Sequence, residues 1–232
     1  MKKTILAIIM LCLLTPFVLY AQDVSQLVEK VKAKIEQVKD YTASGKMKTN
    51  VSFLKVPVAN VVIYFKKPNQ LKIKNEKGIS FVPKGTVSIN LNNVLSSGSY
   101  TALDAGVDKV AGIPVRVVKL LPSDENADVV LSTLYIDEAR QVILRSRTTT
   151  RDNGSYELEM SYAKYVSFGL PDKIIFSFNT KEYKLPKGMT FDFDDGSAVK
   201  QEAGKTKNKK GRAEITINSY SINKGLADDV FK

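Results

Sequence analysis

The sequence has no histidine and no tryptophan, and Cys12 is its single cysteine. Without an imidazole, every mechanism that needs one as general base, nucleophile or metal ligand is excluded, and with it the Ser-His-Asp triad and most catalytic zinc sites. A lone cysteine excludes an intrachain disulfide. No Gly-x-Gly pair occurs among the 13 glycines, and neither Gly45-Lys46 nor Gly204-Lys205 has a glycine five positions upstream, so dinucleotide and P-loop phosphate signatures are absent. Long apolar runs are scarce too. Thr4 to Tyr20 alone approaches the ~17–25 residues of a membrane span, and Pro16 interrupts it. What remains is 232 residues with 44% apolar and 25% charged side chains, which excludes a disordered or collagen-like chain.

Lys2 and Lys3, the apolar stretch Thr4 to Tyr20, then Ala21 before Gln22 and Asp23 have the three-part layout of a secretory signal peptide. Leu19-Tyr20-Ala21 is read as the cleavage site, so residues 1–21 are removed and the mature chain starts near Gln22. A retained membrane anchor is the alternative. Bulky Ile9, Met10 and Leu11 precede Cys12, which argues against lipidation of that cysteine, and removal of the segment leaves a chain without thiols. The expected location is the periplasm. The formal net charge is +11, and the mature chain keeps an excess of Lys and Arg over its 24 acidic residues. For an exported protein this disfavours nucleic acid as a partner and favours anionic membrane surfaces and acidic proteins. Lys200, Lys205, Lys207, Lys209, Lys210 and Arg212, interleaved with Gly, Thr and Asn, read as a solvated loop.

From Asp23 to Asp40, Val24, Leu27, Val28, Val31, Ile35 and Val38 recur at three- and four-residue steps against Lys, Glu and Gln. This predicts one amphipathic helix of about 17 residues, with Asp23 and Gln26 as a capping box. After Tyr41 the period switches to two. Met47 among Lys46 and Lys48, Leu71 and Ile73 among Lys72 and Lys74, Leu158, Met160 and Tyr162 among Glu157, Glu159 and Ser161, and Ile215 and Ile217 among Glu214 and Thr216 mark strands with one wet face. Val61 to Phe65, Val115 to Leu121, Val129 to Ile136 and Ile174 to Phe178 are largely apolar on both faces. Asn153-Gly154, the Asp137 to Arg140 loop, Pro83-Lys84-Gly85 and Pro186-Lys187-Gly188 sit between such runs at hairpin spacing. The pattern predicts roughly ten strands in a single antiparallel sheet system over residues 22–232, with no linker marking a second domain. Leu91, Val94 and Leu95 before Gly98 predict a short helical insert, to which Ala102 to Val110 adds another turn or two.

A sheet with one apolar face must close, pair or curl around helices. Here the two helical pieces predict lid helices across the concave face of an incomplete antiparallel β-barrel, in a mainly β, α+β fold. Several segments resemble the LolA/LolB-like family of periplasmic lipoprotein carriers. They are Tyr41-Thr42-Ala43-Ser44-Gly45-Lys46-Met47, Val62 to Ile73 through Lys66-Lys67-Pro68-Asn69, Val115 to Pro122 with Leu134-Tyr135-Ile136-Asp137 and Val142-Ile143-Leu144-Arg145, and Tyr220 to Leu226 with Phe231. Where the family has an Asp-Gly turn and a tryptophan before the lid insert, this chain has Lys77-Gly78 and Ile79-Ser80-Phe81, and Lys46 and Lys48 occupy the strand that carries the family's lid-locking arginine. The resemblance implies a monomer that binds the acyl chain of a lipoprotein or lipid and exchanges it with inner-membrane and outer-membrane protein partners. The acyl cavity is then expected between Leu27, Val31, Ile35, Leu91 and Leu95 of the lids and Met47, Leu71, Ile73, Leu158, Met160, Tyr162, Ile215 and Ile217 of the sheet. A lipid or lipoprotein sensor of the same fold, acting through a membrane protein, is the alternative. An adhesive β-sandwich with a filled core is the third class.

No cofactor or metal is called for. Asp192, Asp194 and Asp195 before Gly196 do not make a calcium loop, because its first and third positions would be Phe191 and Phe193. Glu157 and Glu159 share a strand face, but as a solvated outer face rather than an acid–base pair. A serine with a lysine base leaves no sequence signature, so an enzyme is disfavoured by the absence of other motifs rather than excluded.

Overall fold

In the computed structural model, the described residues are 24–51, 54–68, 70–75, 80–81, 95, 99–152, 154–179 and 210–231. The signal segment, Asp23, Leu91, the two Pro-Lys-Gly turns, Asp192 to Gly196 and most of the basic run before Arg212 lie outside them. The apolar stripe of the first helical pattern forms α1, Val24–Glu36, whose Val24, Leu27, Val28, Val31 and Ile35 are buried. An isolated helix of 13 residues is marginal in water, so this packing holds it. Each fully buried aliphatic side chain contributes ~1.5–3 kcal/mol. The helix stops earlier than the apolar spacing predicts because a tighter turn closes it, with the Val38 N–H donating to the Ile35 carbonyl at 3.1 Å. The side-chain amide of Asn223 then takes over the next backbone groups: its Nδ2 donates to the Gln37 carbonyl at 2.9 Å, and its Oδ1 accepts from the Lys39 N–H at 2.7 Å.

Eleven strands follow: β1 (Asp40–Val51), β2 (Leu54–Lys66), β3 (Gln70–Asn75), β4 (Ser80–Phe81), β5 (Tyr100–Val110), β6 (Ile113–Pro122), β7 (Val129–Asp137), β8 (Val142–Thr150), β9 (Gly154–Ser161), β10 (Lys173–Asn179) and β11 (Lys210–Ile222). Among the described residues they form one antiparallel sheet in the order β4-β3-β2-β1-β11-β10-β9-β8-β7-β6-β5, open at β4 and β5, with α1 packed on it. This is the incomplete barrel that the alternation and the helix predict. The first and last strands meet at its centre, where Gly45 of β1 stands opposite Ile217 at a bulge. A Cβ on Gly45 would lie 2.5 Å from the Thr216 carbonyl oxygen, so the strands approach closely only because glycine is there.

One expectation is corrected. Ala102 to Val110 does not extend a helical insert but belongs to the edge strand β5, which pairs with β6 from Tyr100↔Pro122 to Val110↔Ile113. Tyr100 and Ala102 turn inward against the core while Thr101 and Leu103 face out, and a bulge between Asp104 and Val107, with Gly106 at φ +88°, breaks the alternation that a strand would otherwise display. The β5–β6 connection is a two-residue hairpin with Ala111 and Gly112 both at positive φ. Leu95, from the expected insert, is helical and buried in the same core as α1.

Candidate functional site

Residues directly opposite in an antiparallel pair share a face, so the register shows which side chains point the same way. One row runs Met47, Ile215, Ile174, Met160 across β1, β11, β10 and β9. A second runs Ala213, Phe176, Leu158, Ser146, Leu134, Val118 from β11 to β6. On the other half, Val61 stands opposite Gly45 and Ile63 stands opposite both Ala43 and Ile73. Together they make one concave apolar face across β1–β3 and β6–β11.

Two groups of buried side chains divide this face. Under α1, Leu27, Val31, Ile35 and Leu95 pack with Leu158, Met160, Leu134, Val118, Phe176 and Phe178, and Tyr162 lies against them. Met47, Ile73, Ile215 and Ile217 form the second group with Ala43, Val61 and Ile63, flanked by Leu71. The structure thus places the lid positions of α1 with Leu158, Met160 and Tyr162. Among the described residues, no side chain of α1 enters the second group, which the Ile215–Ile174–Met160 row joins to the first. Leu91, the fifth lid position, lies outside the described residues.

The sequence pattern misses Phe176 and Phe178 of the inner face, because β10 between Ile174 and Phe178 carries no charge to mark which side is wet, and it misses Tyr156 at the start of β9 although Glu157 and Glu159 mark that strand's outer side. It also misses a run of buried hydroxyls on β7 and β8: Ser132, Ser146, Thr148 and Thr150. Phe178 packs directly over Gly211 of β11, where a Cβ would have no room.

Polar contacts hold α1 in place. The Tyr100 hydroxyl donates to Glu29 Oε1 at 2.9 Å, and Lys34 Nζ donates to the Arg140 carbonyl at 2.6 Å in the β7–β8 loop. Burial, the bond to Glu29, and the charges of Glu29 and Glu36 hold the Tyr100 phenol protonated well above its ordinary range. The loop itself is braced by Asp137, which accepts from the Arg140 backbone N–H at 3.0 Å and from Arg140 Nε at 2.6 Å. Tyr41, Phe65, Tyr165 and Tyr220 pack with ring centres 4.9–5.2 Å apart, Tyr220 edge-on to both Tyr41 and Tyr165, and the Tyr220 hydroxyl donates to the Pro171 carbonyl.

The outer face is charged. Arg147 pairs with Glu157 at 2.9 Å, Arg145 stands opposite Glu159, and Lys173 pairs with Glu214 at 2.8 Å, the bond that lowers the Glu214 carboxyl below its ordinary value. Glu157 is thus a partner in a surface ion pair. Lys46 and Lys48 are exposed; the side-chain bonds to α1 come from Tyr100, from Lys34 on the helix itself, and from Lys67, whose Nζ donates to the Glu36 carbonyl at 2.6 Å. Among the described residues, no three His, Cys, Asp or Glu side chains converge as metal ligands do, and no helix is long and apolar enough to cross a membrane.

Comparison with family models and with curated proteins gives no match. Solved structures do match. A domain named for outer membrane lipoprotein sorting from Vibrio parahaemolyticus superposes with a TM-score of 0.56 at 11% identity, covering 89% of this chain and 95% of that one. A LolA superfamily protein from Nitrosomonas europaea gives 0.54 at 11% identity over 90% and 96%. The fold is LolA-like. A DUF1329 family protein from Desulfovibrio piger shares it, with a TM-score of 0.53 at 12% identity over 90% and 96% of the two chains.

Proposed function

We propose that this LolA-like protein is a non-enzymatic periplasmic carrier that holds an acyl chain on its concave face, and that its cargo is an acylated lipoprotein moved between the inner and outer membranes. The observation that carries the proposal is the continuity of the inner face. One largely apolar surface, crossed by the hydroxyls of β7 and β8, spans nine strands, α1 covers part of it, and side-chain hydrogen bonds from Tyr100, Lys34 and Lys67 tie that helix to the rest of the fold. The name of the Vibrio parahaemolyticus domain supports a lipoprotein as the cargo.

The physical need for a carrier is large. At about 0.8 kcal/mol per buried methylene, moving a chain of about 16 carbons bare through water is unfavourable by roughly 10 kcal/mol or more. A folded cavity removes that barrier but must also release its load. The side chains that fill the closed form supply the means: Leu27, Val31 and Ile35 occupy the face when it is empty and withdraw when Leu158, Met160 and their neighbours receive the chain. Loading then exchanges one apolar contact for another, so the net free energy stays small and the step remains reversible.

Native mass spectrometry with lipid extraction, on protein purified from the periplasm without detergent, tests this. An acylated species bound at about one per chain, displaced by added lipopeptide, is the expected result. A ligand-free mass with no uptake of lipopeptide or any acyl probe refutes the proposal.

A further inference from the structure

Strand β8 carries a polar line into an apolar core. Thr150, Thr148 and Ser146 occupy alternate positions on its inner side, and Ser132 of β7 stands opposite Thr148. Three of these hydroxyls have partners. Thr150 donates to the Gly154 carbonyl at 2.8 Å, Ser132 and Thr148 bond each other at 3.1 Å, and Thr148 also bonds the Tyr156 phenol. Ser146 differs. It is 0% exposed, it lies between Leu134 and Leu158 in the row beneath α1, and its Oγ has no hydrogen-bond partner.

Buried polar groups in folded proteins are almost always paired, and an unpaired one is a cost that an alanine at this position would avoid. In a face proposed to exchange its filling for a ligand, the missing partner is supplied by the ligand. We propose that Ser146 anchors the ester carbonyl of the bound acyl group, its hydroxyl donating to the carbonyl oxygen once α1 has moved aside. The inference rests on the carrier reading and adds to it a polar anchor within the face.

Two observations select the ester over a free fatty acid. A carboxylate would be buried without a counter-charge, since Leu134, Leu158, Val118 and Phe176 in the same row are all uncharged and Arg145, the next residue, lies on the opposite face, stacked on Tyr135. A neutral carbonyl needs one donor, which is what Ser146 offers. From Ser146 the row continues over Leu158, Phe176 and Ala213 to β11, beside Ile215 and Met47. Four strand spacings from β8 to β1 amount to about 19 Å, a span that suits a long extended acyl chain anchored at its ester end.

Carboxylic esters occur both in the diacylglyceryl group of a lipoprotein and in a phospholipid, so the test uses both. Binding of a dipalmitoylglyceryl-cysteine lipopeptide and of dipalmitoyl phosphatidylglycerol is compared with that of their ether-linked dihexadecyl counterparts, for the wild type and for Ser146→Ala. The expected result is an ester preference of about fivefold in the wild type, the size of one neutral hydrogen bond, that vanishes in Ser146→Ala while ether affinity is unchanged. The arm that binds tighter identifies the source. An ester preference that survives in Ser146→Ala, or a wild type that binds ester and ether forms equally, overturns the role of Ser146 and leaves the carrier reading standing. A wild type that binds none of the four overturns both. Thermal unfolding of ligand-free Ser146→Ala at or above the wild-type midpoint shows that the variant is folded.

Discussion

With no histidine in the chain, the titratable side chains whose pKa folding raises are mainly phenols, buried or partly buried in the clusters above. Burial pushes Tyr41, Tyr156, Tyr162 and Tyr220 above the ordinary value of 10.0, and neighbouring phenols and Asp172 add to the effect at Tyr220. A phenol that folding holds protonated keeps its proton at pH values where the unfolded chain has lost it, so its contribution is full below pH 10.0 and declines as pH rises above it. The urea midpoint should therefore be level from neutral pH to about 9, with no imidazole step, and fall beyond 10. These tyrosines should ionise together with unfolding rather than before it. Ionisation at the ordinary value without loss of structure, followed by phenolate absorbance, would contradict the burial described here. Gly45 makes a second prediction at this scale. Its missing Cβ faces the backbone of β11, which cannot rotate away as a side chain would, so Gly45→Ala should destabilise by about 1–3 kcal/mol in chemical denaturation. The inward direction of Met47, Ile73, Leu158, Met160, Ile215 and Ile217 was legible because charged neighbours mark the wet side. Ser146 was not, since a serine in an alternating strand looks the same whether it faces water or the core.

At the scale of elements, α1 is held differently at its two ends. Its C-terminal exit is clasped by Asn223, and Asp40 Oδ1 accepts from the backbone N–H groups of Lys224 and Gly225 at 3.0 Å each, which fixes the junction with β1 against the end of β11. The Tyr100 hydroxyl bonds Glu29 in the middle of the helix, while Lys34 and the Lys67 Nζ, which donates to the Glu36 carbonyl at 2.6 Å, hold its last turns. In the proposed carrier α1 is a lid held most firmly at its C-terminal end, so it opens about that end. Replacing Tyr100 by Phe removes one latch and leaves the ring's packing, at a cost of about 1 kcal/mol, which corresponds to about fivefold more opening. Hydrogen exchange of the α1 amides should quicken by that factor while the amides of β9 and β10 keep their wild-type rates. Equal acceleration in helix and sheet would mean that the bond supports the whole fold rather than the lid. The helix itself was legible from its 3.6-residue period. Its early stop was not, because the residue that ends it, Asn223, lies far along the chain, and a contact of that sequence separation leaves no local signal. For the same reason β5 read as helix: the bulge at Gly106 disrupts the alternation, and only pairing with β6 makes the segment a strand.

At the scale of the whole molecule, a sheet that stays open has free edges, and exposed edges pair with other chains unless something prevents it. Strand β5 is the long one, exposed over most of its length and bearing Leu103 and Val107. It is blunted by three devices. The bulge bends it, Asp104 folds back to accept from the Gly106 N–H at 2.8 Å and pairs with Arg116 at 3.3 Å, and Asp108 and Lys109 add exposed charge. The strand count and the open antiparallel layout were legible in the sequence, but this protection was not, because its members act through a geometry that exists only once β5 is paired. Its purpose follows from the proposed function: a closed barrel would need no such protection but could not part to admit a chain. Replacing Asp104 and Asp108 together by Val removes the Arg116 pair, the turn that holds the bulge and the edge charge, leaving a flat β-branched edge beside Val107. Sedimentation velocity should then show concentration-dependent association for the double variant under conditions where the wild type stays monomeric, and the association should be reversed by restoring Asp104 alone, because the bulge it holds bends the edge. A double variant as monomeric as the wild type would mean that the twist of the sheet alone keeps its edge apart.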